Sequence, residues 1–388
     1  MSAPLRILGV MTGTSCDGLD AACIEIHPTG WKPLWSAHAA YPARLRARTL
    51  ALQKPGTRQP IETWLKLDRD LGEWYGSVLS SMIRKHSPKP DLIANHGQTL
   101  AHFPGQSVTL QLGDPTRIAV KTGISVASQF RTGDLSAGGQ GAPLVPLFHR
   151  ILAQSLFKNR RGDLKTGVSI HNLGGISNLS YIGPDRKLLA FDTGPSNLWI
   201  DASAFKASRG KLKFDRNGRM ASQGQVDWNA VKSILKHPYF KKSAPKSTGR
   251  DDFPFEYFLR RCRAKGASLV ATATAITVES IAQAYEHAIL DRGLPLSEIF
   301  FCGGGAKNPT LLAWIQSRLP EVEIRTLDEE GFDSQLVEAQ AFAYFGLLSL
   351  LGEPIGGNWT GAKEFGPPGC LTPGKNWDEL WRKFSDLG

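Results

Sequence analysis

The chain has only five cysteines, Cys16, Cys23, Cys262, Cys302 and Cys370, with no C-x-x-C pair among them. An odd, scattered set of thiols argues against a disulfide framework or a zinc site and fits a reducing compartment. Cys16 reads as a reactive thiol or as a small filler, and the filler is favoured because nothing basic adjoins it in sequence to activate it. Long apolar runs are missing too: residues 269–276 and 342–351 fall well short of the roughly 20 residues a membrane span needs. Asp17 and Asp20 follow the apolar run at 7–11 too soon for a signal peptide, so a cytoplasmic location is expected. Several catalytic signatures are also absent. Without G-x-x-x-x-G-K-[ST] a P-loop NTPase is excluded, and without V-A-I-K, H-R-D or D-F-G a protein kinase is. Without G-x-S-x-G the common hydrolase elbow is excluded as well. Acids are the scarcer charge, and the net charge is +11. Most of that excess lies in residues 232–265, which carry ten Lys or Arg against three acids, with no RNP pattern, zinc finger or basic zipper. Neither nucleic acid nor a membrane is therefore an expected partner; the stretch reads as a solvated basic face, or one that draws in a small anion.

A chain of 388 residues with 41% apolar and 21% charged residues is globular, with two or three domains. Its opening stretch, ILGVMTGTSCDGLDAACIEI at 7–26, reads as strand, turn and returning strand. The turn holds two glycines, hydroxyls on Thr14 and Ser15, and Asp17, a set that can surround phosphate oxygens and hold Mg²⁺ through water. An ordinary tight hairpin uses the same residue types. Residues 61–86 carry an apolar stripe at helical spacing. The stretch DLIANHGQTLAH at 91–102 is a strand running into a polar turn, where His96 reads equally as a cap or a ligand contact. Asp114 and Pro115 start a short helix that ends at Gly123. The loop SQFRTGDLSAGGQGAP at 128–143 follows a strand, where α/β proteins keep ligand contacts, and offers Arg131 and Asp134 or a local ion pair between them.

The charged stretch 157–165 reads as a domain boundary, and VSIHNLGGISNLSYI at 168–182 repeats the opening theme. Such a repeat marks an internally duplicated fold with a cleft between the halves. In LLAFDTGPSNLWIDASA at 188–204, Asp192 stands where a strand meets a Gly-Pro turn before a helix, which makes it the leading catalytic candidate against an Asx-turn cap. Ser268 is read as the cap of a long helix to about 291. Gly303, Gly304 and Gly305 lie between a strand and a helix capped by Asn308, a flat surface for a purine or ribose. Glu338 falls in the first turn of a helix over 335–351. The Gly-rich tail is expected to return to the first half.

Together these features resemble the actin, sugar kinase and heat-shock ATPase superfamily. The motifs GVMTGTSCDGLD, HGQT, LQLGDPTRIA, FRTGDLSAGGQGAPLVP, NLGGISNL, FDTGPSN, PKSTGRDDF, FCGGGAKNP, VEAQAFA and NWTGA, in this order, resemble the anhydro-N-acetylmuramic acid kinase family over nearly the whole chain. That resemblance implies a two-lobed α/β fold with duplicated mixed sheets around a central cleft. The expected boundaries are 1–142 plus 352–388 for the first lobe and 143–351 for the second. It implies ATP binding by Gly13, Thr14, Ser15, Cys16, Asp17, Gly18, Leu19 and Asp20, with Gly303, Gly304 and Gly305, and Mg²⁺ reached through water by Asp17. Asp192 is implied as the catalytic base, with Arg131, Glu338 and His96 as substrate contacts. One departure is Ser196, where the family pattern F-D-T-G-P-G-N has a second glycine. The implied partners are ATP and an anhydro amino sugar; a homodimer is left open. Rival readings are a levoglucosan-type kinase, another sugar kinase, or an ATP-binding scaffold or chaperone.

Overall fold

A computed structural model describes residues 4–54, 56–159 and 166–387. The expected boundary stretch lies, from residue 160 to 165, outside the described residues. The chain divides into two compact units, one reaching to Phe148 and resuming at Leu336, the other spanning His149–Gln335.

In the first unit, strands β1 (Leu5–Thr12), β2 (Gly18–His27) and β3 (Gly30–Ala40) form an antiparallel meander. Strand β4 (Leu92–Phe103) lies parallel to β1, β5 (Val108–Leu112) folds back on β4, and β6 (Ser125–Ser128) runs parallel to β4. Helices α1 (Ala43–Leu52), α2 (Ile61–Lys85), α3 (Pro115–Thr122) and α4 (Thr132–Ser136) accompany them. The helix α3 starts as expected: Asp114 accepts from the Thr116 N–H at 2.9 Å, and Gly123 ends it in the left-handed region.

The second unit holds β7 (Val168–Leu173), β8 (Ile176–Ile182) and β9 (Leu188–Pro195), again an antiparallel meander. Strands β10 (Glu298–Cys302) and β11 (Glu323–Thr326) extend it in parallel from β7. The chain enters this unit within α5 (Pro146–Asn159), and α6 (Asn197–Ala207), α7 (Trp228–Leu235), α8 (Pro238–Lys241), α9 (Phe255–Leu259), α10 (Ala267–Ala288) and α11 (Pro309–Arg318) follow. The long α12 (Val337–Leu351), strand β12 (Cys370–Thr372) and α13 (Trp377–Ser385) belong to the first unit, where β12 closes the β6 edge.

The two sheets share one order, third, second, first, fourth, then a further parallel strand: β3-β2-β1-β4-β6 and β9-β8-β7-β10-β11. This is the duplicated mixed-sheet α/β class expected from the sequence. The unbroken apolar run in β1 has a simple cause: the strand is covered on both faces. Leu8 and Val10 join Leu71, Tyr75 and Leu79 of α2 in one core. Each such side chain contributes about 1.5–3 kcal/mol on burial. On the opposite face α12 approaches so closely that a Cβ on Gly9 would lie 1.8 Å from the Ala339 carbonyl oxygen. In the second unit Phe191, Trp199, Ile276, Tyr285, Phe301 and Leu311 form the corresponding core.

Three sequence expectations differ from what is seen. Helix α12, with Glu338, falls in the first unit rather than in 143–351, because its small face packs on β1. Gly266, not Ser268, precedes α10, and the Ser268 hydroxyl instead accepts from the Gln225 N–H at 3.0 Å. Helix α12 begins at Val337, two residues later than read. No described helix is long and apolar enough to cross a membrane.

Candidate active site

The turn after β1 presents Gly13, Thr14 and Asp17 to solvent, with Ser15 half-buried. Cys16 and Leu19 are core residues, so they hold the turn by packing. Arg46 of α1 braces it from one side: its Nε donates to the Cys16 carbonyl at 2.9 Å and its Nη2 to the Ser15 carbonyl at 3.2 Å. The same nitrogen lies 3.3 Å from Asp17 Oδ1. Gln98 donates to the Gly13 carbonyl at 3.1 Å, tying the turn to β4. Asp20 Oδ1 accepts from His38 Nδ1 at 2.8 Å.

The end of β4 also builds a second cluster in this unit. The ladder to β1 slips between Val10 and Thr12, where Gly97 takes φ 75°. His96 is thereby placed 3.0 Å from Arg131 Nε, and Arg131 Nη1 donates to the Gly141 carbonyl at 2.7 Å. Burial lowers the Arg131 pKa to about 10, opposed by the Glu338 and Asp134 carboxylates, so the guanidinium stays charged. Burial and the adjacent Arg131 charge hold His96 well below its usual pKa, hence neutral. Desolvation raises the Glu338 carboxyl, Arg131 pulls it down and Asp20 pushes it up again, although the side chain reaches solvent. Phe342, one turn along α12 from Glu338, packs on the His96 ring at 4.5 Å. Asp134 has a different role. It accepts from the Gly141 N–H at 2.6 Å and the Thr360 hydroxyl at 2.5 Å, which makes it a loop anchor rather than a partner of Arg131.

In the second unit Asp192 sits on β9 beside a bulge. Asn178 pairs with Asp192 and Ser177 with Gly194, which leaves Thr193 as the extra residue. Bulges of this kind re-aim a neighbouring side chain. Asp192 Oδ2 accepts from the Thr248 N–H at 2.9 Å, its backbone N–H donates to the Lys246 carbonyl at 3.1 Å, and Tyr239 Oη donates to its carbonyl at 2.6 Å. Burial pushes the carboxyl up to about 7, against the pull of the Thr248 N–H and the Lys246 charge. The bulge rests on a buried chain of polar groups: Thr193 to Ser177, Ser177 to His171 Nε2 at 3.1 Å, His171 Nδ1 to Tyr285 at 3.0 Å, and Tyr285 to Ser169 at 2.8 Å. Of the three glycines after β10, Gly303 and Gly305 pack against the end of β7, and only Gly304 is exposed. A Cβ on Gly303, at φ +78°, would lie 2.3 Å from Asn172 Oδ1.

The family model for anhydro-N-acetylmuramic acid kinase matches residues 5–374. The chain belongs to the anhydro-N-acetylmuramic acid kinase family. It is 37% identical over 350 residues to an anhydro-N-acetylmuramic acid kinase of Idiomarina loihiensis, covering 88% of this chain and 91% of that one. With one of Gloeobacter violaceus it shares 38% over 392 residues, covering 95% and 99%. Among solved structures, it is similar to a ROK family protein from Streptococcus pneumoniae TIGR4 in complex with sucrose, at TM-score 0.35 and 13% identity, covering 88% and 97%.

In this anhydro-N-acetylmuramic acid kinase family member, the first unit gathers Asp20, His96, Arg131 and Glu338, while the second carries Asp192 and the Gly303 turn. Sequence reasoning missed Arg46, Tyr239 and Phe342. Arg46 lies in a helix with no side-chain cap and no acid in its first turn, so nothing local announced it. The partners of Asp192, Lys246 and Thr248, lay inside the quoted motif PKSTGRDDF within the basic stretch and were given no role.

Proposed function

We propose that the protein transfers the γ-phosphoryl group of ATP to O6 of 1,6-anhydro-N-acetylmuramic acid while water opens the anhydro bridge. The products are N-acetylmuramic acid 6-phosphate and ADP. Family membership supports the substrate. One observation carries the chemistry: Asp192 is a carboxyl with a pKa of about 7, oriented by the Thr248 N–H. A general base works best when its pKa lies near the working pH.

In the proposed step, the oxygen of water bonds to C1 and its proton passes to Asp192. The C1–O6 bond breaks, and O6 takes the phosphoryl group as the bond to ADP breaks. Capture of O6 by phosphorus replaces the proton that a general acid gives in an inverting glycosidase. One carboxyl therefore suffices. Gly13, Thr14, Ser15 and Asp17 at the exposed turn are assigned to the phosphates of ATP, and Gly304, shaped by Gly303 and Gly305, to its nucleoside. Cys16, Gly18, Leu19 and Asp20 support that turn. Arg131, Glu338 and His96 are assigned to the sugar. Asp17 fits Mg²⁺ held through water, since its side chain is 75% exposed and Arg46 touches one oxygen, while phosphates supply most of such an ion's contacts. When bound, the ion neutralises charge on the transferring phosphoryl group.

Turnover in ¹⁸O-labelled water tests the coupling. Label is expected at C1 of the sugar phosphate; label in the phosphate would mean that water attacks phosphorus and that the assignment to Asp192 is wrong.

A further inference from the structure

We infer that Arg46 is a positioning residue of the nucleotide site, which acts by holding two carbonyls of the turn after β1 so that the turn presents its N–H groups to phosphates. This rests on the assignment of that turn to ATP proposed above. The backbone of the turn divides by polarity. Gly13 accepts from the Cys16 N–H at 3.1 Å and from Gln98 at 3.1 Å, Thr14 from Cys16 Sγ at 3.6 Å, and Asp17 from the Tyr41 N–H at 3.1 Å. Arg46 takes the other two carbonyls, Ser15 through Nη2 and Cys16 through Nε. Every carbonyl from Gly13 to Asp17 is thus withdrawn, whereas the N–H groups of Thr14, Ser15 and Asp17 have no partner among the described residues. Such a backbone suits an anion.

Arg46 decides the direction of the last of these amides. Across a trans peptide the C=O and N–H point opposite ways, and the peptides of this turn are trans. With the Cys16 carbonyl 2.9 Å from Arg46 Nε, the Asp17 N–H points away from the guanidinium. The Ser15 carbonyl, held in the same way, turns the Cys16 N–H back to close on Gly13. The amide side of the turn therefore faces away from Arg46, and the guanidinium acts through the backbone.

The arrangement needs such a hold. Cys16 takes φ 54°, in the left-handed region that a side chain disfavours, and two bonds from one rigid guanidinium keep it there. Charge gives a second reason. Asp17 is the one carboxylate between Gly13 and Asp17, and Arg46 Nη2 lies 3.3 Å from its Oδ1, which offsets its repulsion of a phosphate.

The test compares the dissociation constants of ATP and adenosine, measured by calorimetry on the full chain. Wild type is expected to bind ATP on the order of 100-fold more tightly than adenosine, through charge-assisted bonds to the phosphates. Arg46→Ala is expected to lower that ratio about tenfold and to leave the adenosine constant within about twofold. Arg46→Lys keeps the charge but loses the fork that reaches both carbonyls, so its ratio is expected to fall at least about fivefold. Should Arg46→Ala fail to fold, Arg46→Lys carries the same comparison. A ratio unchanged in Arg46→Ala, equal losses for ATP and adenosine, or a wild-type ratio in Arg46→Lys overturns the positioning role alone. A wild-type ratio near one overturns the assignment of the turn to the phosphates of ATP.

Discussion

The two units share a strand order and differ at the turn between their first two strands. In the first, five residues, Gly13 to Asp17, separate β1 from β2, and Thr14 and Asp17 point outward. In the second, only Gly174 and Gly175 separate β7 from β8. Their carbonyls are taken up: Ser196 N–H donates to Gly175 at 2.9 Å, Asn197 N–H to Gly174 at 3.1 Å and Leu198 N–H to Gly175 at 3.1 Å. The second turn therefore satisfies the start of α6, whose first N–H groups have no partner within the helix. The carboxyl proposed as the base lies one strand further on, at the bulge beside Asp192. The shared strand order keeps what packs, whereas the two turns differ in what they leave exposed.

The largest effect should come from Asp192→Asn. Turnover is expected to fall about 10²–10⁴-fold, while the ATP dissociation constant measured by calorimetry stays within about threefold. Comparable losses in both would make Asp192 structural and erase the division of labour between the units. The acidic limb of kcat/KM in wild type should have an apparent pKa near 7, set by the raised Asp192 carboxyl.

The same residue has a stability signature of definite sign. An acid whose folded pKa is raised contributes stability below its unfolded pKa, near 4, and that contribution is lost as pH rises through about 7. Asp192→Asn is thus expected to stabilise the protein near pH 8 by about 1–2 kcal/mol, a figure discounted because part of the side chain reaches water, and to gain nothing near pH 4. Chemical denaturation at the two pH values reads this directly; a loss of stability at the higher pH would contradict it.

The contrast between the turns can be sharpened next. Ser15→Ala is expected to raise KM for ATP about tenfold. Gly175→Ala, where a Cβ would meet nothing within 4 Å, should leave KM within about twofold. Equal shifts would mean that both turns serve the nucleotide. The smallest effect is expected from Tyr285→Phe, which breaks the buried chain under the bulge and should cost about 1 kcal/mol in a denaturant melt.

Much of the fold was legible because its elements carry local signals. The apolar runs of β1 and β7, the Asp114-Pro115 start of α3 and the Asn308 cap of α11 stood in the sequence as they stand in the structure. Helices α1 and α13 were not read. Neither has a side-chain cap bond, and packing decides such helices more than propensity does. Within the candidate site, Asp192 stood out as a candidate by its motif, but Arg46 did not, because it reaches Ser15 and Cys16 across some thirty residues of chain.

The sequence by itself determined the family, the place of many strands and helices along the chain and the residue types available at each turn, since these depend on local pattern and on motifs kept in order. Only the tertiary structure decided the surroundings of those residues. Burial moved Asp192 to about 7, and packing against β7 withdrew Gly303 and Gly305, which left Gly304 exposed. It also joined His96 to Arg131 and placed Glu338 in the unit that carries the turn after β1. Desolvation and close approach depend on neighbours distant in the chain, and residue order does not fix them locally.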